Sequence, residues 1–128
     1  MPHWNLAAAW IGFAVGVLAG ALIGLRFADP DWLGGYASWP RRMLRLGHIA
    51  CFGIGLINIA FAVTADRLPV GAFVMTPSML LLVGAAGMPL VCWLSAWKQP
   101  ARNLFPIPVL AVLVACIWTG WLVLEATL

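Results

Sequence analysis

Four long apolar runs, at about 5–25, 44–64, 75–97 and 106–126, are separated by short segments that carry most of the charge. Each run reaches the roughly 20 residues needed to cross a hydrocarbon core about 30 Å thick. None alternates at period two, as a transmembrane strand would. Helices are then the element that satisfies every backbone group within the segment itself. The pattern predicts an all-α integral membrane protein, a four-transmembrane-helix bundle forming a single domain over residues 1–128.

Within the first run, small residues recur every fourth position: Ala8, Gly12, Gly16, Gly20 and Gly24. This spacing is a glycine zipper, which lets another helix approach backbone to backbone where lipid supplies no hydrophobic drive. Four residues turn through about 400°, so the stripe drifts by about 40° per step and a partner crosses it at an angle. That partner is another span, a second copy in a homo-oligomer, or another membrane subunit.

The connections read as turns. Asp29, Pro30, Asp31, Gly34, Gly35 and Pro40 mark the first, Asp66, Arg67 and Pro69 the second, and Pro100, Arg102 and Asn103 the third. Thr76 followed by Pro77 predicts an N-cap and first-turn proline for the third helix, and Pro106 and Pro108 open the fourth. Pro89, inside the third run, removes a backbone donor and predicts a packing kink.

Composition excludes the soluble alternative. The chain is 64% hydrophobic and 9% charged, with mean hydropathy +1.01, whereas soluble domains carry roughly 25% charged residues. No separate soluble domain fits in the remaining length.

Six of the seven Lys and Arg residues (Arg26, Arg41, Arg42, Arg45, Lys98 and Arg102) belong to the first and third connections or their flanks, and only Arg67 lies on the other side. The positive-inside rule makes those connections cytoplasmic and places both termini outside, N-out and C-out, in a multi-pass inner-membrane protein. The net charge of +3 then reflects topology and anionic headgroups, with no nucleic-acid partner implied. The absence of Lys or Arg before Arg26 argues for a retained first helix rather than a signal peptide. Trp4, Trp10, Trp118 and Trp121 form an outer aromatic belt, and Trp32, Trp39, Trp93 and Trp97 an inner one. Segment 26–42 is expected to lie on the membrane surface, with Arg41, Arg42 and Arg45 anchored to headgroups.

Candidate chemistry concentrates on the second run. His48, Cys51, Gly55 and Asn58 share one helical face, the polar intramembrane face of this chain. By depth, His48 is expected to share a layer with Cys92 and Ser95, and Asn58 with Met79 and Cys116. Such layers hold helices together or hold a ligand. Haem is the sharpest cofactor hypothesis, with His48 as axial ligand, Gly47, Gly53 and Gly55 making room for the porphyrin, and Met88 or a second protomer supplying the other ligand. A soft copper set of Met75, Met79, Met1 and His3 is a weaker reading. The three cysteines form no CxxC pair and read as buried free thiols.

Proton-coupled carriers rely on intramembrane carboxylates. Here the middle of every run lacks one, and Glu125 lies at a helix end. No catalytic residue and no dedicated metal site is assigned.

Two short segments carry resemblances. Gly20 to Arg26 resembles the first helix of small four-helix fluoride channels, a Gly-rich helix ending at Arg. That family's phenylalanine-rich broken third helix is missing, and the charge bias opposes its dual topology. Arg41 to Ala50, with its basic start and His48, resembles small bacterial membrane proteins beside respiratory or haem-handling complexes. The expected function is a structural or accessory subunit of a membrane assembly without catalysis of its own. Haem binding at His48 is the alternative, and a small-solute channel or carrier the weaker one.

Overall fold

Apolar side chains on all sides of a helix leave it no solvent face, and four such helices make up this chain. The computed structural model describes residues 2–69 and 72–128. It contains α1 (Pro2–Leu25), α2 (Trp39–Ala65), α3 (Met75–Trp97) and α4 (Pro106–Thr127), and the described residues include no strand. All four helices are long and apolar enough to cross a membrane. Two 3-10 turns, Trp32–Gly34 and Gln99–Leu104, lie in the first and third connections.

Helix limits differ from the apolar runs where polar residues are helical. The second helix begins at Trp39, five residues before the apolar run, because Ser38 accepts a hydrogen bond from the Arg41 N–H and Pro40 occupies the first turn. The basic residues Arg41, Arg42 and Arg45 are therefore inside α2 and outside the connection. The expected cap at Thr76 is not used: α3 starts at Met75, with Val74 in the cap position and no side-chain bond there. Pro77 does occupy the first turn and is buried. Pro89 is also buried, and α3 continues through it to Trp97.

Consecutive helices pack in series, α1 on α2, α2 on α3 and α3 on α4, with a smaller contact between α1 and α3. The four helices are thus arranged as a series of neighbouring pairs. The central pair α2 and α3 is the more buried, while α1 and α4 turn most of their surface outward. A small apolar cluster of Phe61, Leu81 and Ala115 joins α2, α3 and α4. The α3–α4 contact is close because Gly84 faces Val112 and Gly87 faces Pro108.

The first connection folds over the start of α2. Leu33, Gly34 and Gly35 have positive φ (54°, 86° and 95°), which turns the chain sharply there. Arg41 is 2% exposed and donates to the Phe27 and Asp29 carbonyls at 3.0 and 3.1 Å. Arg45 stacks on Tyr36 at 4.0 Å and donates to its carbonyl at 3.2 Å. Of the three arginines expected at headgroups, only Arg42 is exposed. The other two are occupied in folding the connection, since the carbonyls of an irregular segment need donors.

Candidate functional site

The α1–α2 seam gathers the residues singled out in the sequence. The two helices run antiparallel, so residue numbers fall on one as they rise on the other. His48 meets Gly16 and Gly20, Cys51 meets Gly12 and Gly16, Gly55 meets Phe13, and Asn58 meets Asn5. The glycine stripe of α1 and the polar face of α2 are therefore two sides of one interface.

Rings fill the glycine notches. A Cβ at Gly16 would lie 2.8 Å from the Phe52 ring, one at Gly20 2.5 Å from His48 Cε1, and one at Gly55 2.5 Å from the Phe13 ring. Phe13 stacks on Phe52 at 5.8 Å, and His48 meets Phe52 edge-on at 5.2 Å. Gly24 has no neighbour within 4 Å and stands outside the seam, as the drift of a four-residue spacing on a straight helix requires.

His48 is partly buried, with Nδ1 2.8 Å from the Gly16 carbonyl oxygen. A carbonyl only accepts, so Nδ1 is the donor in this contact. Gly47 meets Trp93, so His48 and Cys92 lie at similar depth, but His48 does not face α3. His48 turns to α1, while its neighbour Gly47 faces α3 and takes the Trp93 indole.

Two of the three glycines expected to make room for a porphyrin are otherwise engaged. Gly47 is filled by Trp93 and Gly55 by Phe13, and Gly53 has nothing within 4 Å. Met88, the proposed second ligand, lies one turn beyond Gly84, on the side of α3 that meets α4 rather than the α1 seam.

At the far end of the seam a polar cluster joins three helices. Asn5 of α1, Asn58 of α2 and Ser78 of α3 are all fully buried. Asn5 Nδ2 donates to Asn58 Oδ1 at 2.8 Å and to the Ser78 carbonyl at 3.3 Å, and the Ser78 hydroxyl donates to Asn5 Oδ1 at 2.6 Å. Asn58 Nδ2 donates to the Ile54 carbonyl at 2.9 Å and reaches the Leu81 carbonyl at 3.5 Å. The expected neighbours of Asn58, Met79 and Cys116, are both exposed.

Asn5 and Ser78 were missed because each sits near a helix start, where a polar residue reads as interfacial. Their signal was available. Both are short polar residues at the same end of their spans as Asn58.

The inner Trp belt is also corrected in part. Trp39 Nε1 donates to the Ser95 carbonyl at 2.7 Å, and Trp93 packs on Gly47, so these two bind helices together. The Ser95 carbonyl belongs to the last turn of α3, which lacks helical donors. Trp4, Trp10, Trp97 and Trp121 remain well exposed.

The copper set groups Met75, Met79, Met1 and His3. Met75 and Met79 are exposed, His3 packs against the Trp4 ring at 5.5 Å, and Met1 lies outside the described residues. Among the described residues, no group of three His, Cys, Asp or Glu side chains is placed to hold a metal ion.

The remaining concavities are lateral and apolar. A groove between α1 and α3 has α2 as its floor, and its two sections meet at Val15 and Trp93. Its wider section, about 460 Å³, lies between Leu22 and Ile23 of α1 and Trp93 and Trp97 of α3. His48 lines none of the grooves described here. Comparison of the chain with protein-family models, curated proteins and solved structures finds no match.

Proposed function

We propose that this protein is a small multi-pass inner-membrane subunit, structural or accessory to a larger membrane assembly, oriented N-out and C-out and without catalysis of its own. One observation carries the reading. Asn5, Trp39, His48, Asn58 and Ser78 each bond across to a neighbouring helix, Thr64 and Thr119 bond only their own helix and the buried Ser95 hydroxyl has no partner among the described residues, while α1 and α4 leave long apolar faces uncovered. A reaction centre or a solute path needs polar groups left over for a substrate. Asn5, Asn58 and Ser78 bond one another across three helices, His48 meets the Gly16 carbonyl through Nδ1, and Gly12, Gly16 and Gly20 are closed by α2 instead of waiting for a partner. Partner helices are then expected on the outer faces of α1 and α4.

The test is native mass measurement after extraction in mild detergent, combined with an absorption spectrum. The subunit reading expects a particle heavier than one protomer and a spectrum without a Soret band after haem-replete expression. A protomer that is always solitary overturns it. A Soret band lost in His48→Ala would instead establish the haem alternative, through Nε2. Reporter fusions at the C-terminus that are active only outside the cell would support the orientation.

A further inference from the structure

We propose that the wider section of the α1–α3 groove seats an acyl chain of an anionic phospholipid, with its headgroup held by the basic residues at the mouth. The shape suits an occupant entering from one end. α1 and α3 touch where Asn5 bonds Ser78, which shuts the groove there, and α2 closes its floor through Leu44 and Cys51. The other end opens between Trp32 and Trp97. From Val15 to Ile23 the helix rises about 12 Å, within the roughly 15 Å of one leaflet's hydrocarbon.

Charge selects the headgroup. Arg26 follows Ile23 by three residues and Lys98 directly follows Trp97, so both flank the mouth. Arg42 and Arg102 lie at the same end, and all four are exposed with no ion pair or side-chain hydrogen bond among the described residues. The carboxylates there are Asp29 and Asp31, and that of Asp29 already accepts from the Asp31 N–H at 3.0 Å. The excess is cationic. A second copy in the same orientation would bring its own basic end against this one, which like-charge repulsion opposes, whereas an anionic lipid neutralises it.

This inference rests on the membrane insertion proposed above and needs no partner subunit. The experiment is native mass spectrometry of the detergent-purified protein titrated with phosphatidylglycerol or phosphatidylcholine of identical chains. Retained phosphatidylglycerol should exceed phosphatidylcholine, and Arg26→Gln and Lys98→Gln should each cut that excess by roughly fivefold. Ala19→Phe, which fills the groove wall, should lower retention of both lipids. Equal retention of the two lipids, or an excess untouched by the exposed charge changes, overturns the proposal, and those changes leave packing intact if Ala19→Phe does not fold. Alkaline extraction of membranes separates the two failures. Release into the supernatant sinks membrane insertion itself, while retention without lipid preference sinks only the lipid site.

Discussion

The two ends of the α1–α2–α3 unit are held by different chemistry. At the Asn5 end, three helices converge on side-chain amides and a hydroxyl that bond one another and adjacent carbonyls. At the Arg41 end, α1 and α3 part around an apolar groove, and the bonds run from long side chains to backbone carbonyls of a turn or a helix terminus. Short polar side chains let helix axes approach; long ones reach across a gap. The molecule is therefore closed at one end and open at the other.

The sharpest way to break this comparison is through the seam that links the two ends. Gly16→Val places methyl groups against Phe52 and Cys51 and should destabilise by about 2–3 kcal/mol, in the range of overpacked cores. Gly24→Ala meets nothing and should be neutral or stabilising by up to about 1 kcal/mol through helix propensity. Unfolding midpoints in mixed micelles measure both, and a Gly16→Val protein as stable as the parent would mean that α1 does not seat on α2 there.

Arg41→Met probes the open end. It strips the Phe27 and Asp29 carbonyls of a charged donor and should cost about 1.5–3 kcal/mol. Amide exchange should quicken over residues 26–38 and stay unchanged around Asn5. Uniform exchange changes along the chain would show that the two ends are not separable.

Trp39→Phe keeps an aromatic six-membered ring and removes the indole N–H donor to Ser95. A loss of about 1 kcal/mol is expected for that single hydrogen bond. A neutral result would assign Trp39 to the interface, as the belt reading had it.

The smallest effect tests the closed end. A double-mutant cycle of Asn5→Ala and Ser78→Ala should give a coupling near 0.6 kcal/mol, the typical size for polar contacts between membrane helices. Strict additivity would mean that the hydroxyl–amide bond contributes nothing beyond packing.

Much of the architecture was legible in the chain, and the reasons are specific. Runs near 20 apolar residues have one regular solution, so the four helices follow from length and hydropathy alone. Their apolar cores match closely, while the start of α2 moved to Trp39 because a hydropathy window passes over polar helical turns capped by Ser38. Asn58 was recognised as needing a partner, but Asn5 and Ser78 could not be paired with it, since helix spacing says nothing about which faces meet. The arginines were assigned to headgroups by charge, and burial of Arg41 depends on a turn through Leu33, Gly34 and Gly35 that no periodicity encodes.

By itself the sequence determined the all-helical class, the number of apolar helices and two special faces: a glycine stripe on α1 and a polar face on α2. Only the tertiary structure decided that these faces meet. Small residues on one helix create notches, and rings on the other fill them; such complementarity exists only once the antiparallel register is set. The same register placed Asn5 opposite Asn58 and left Gly24 outside the seam.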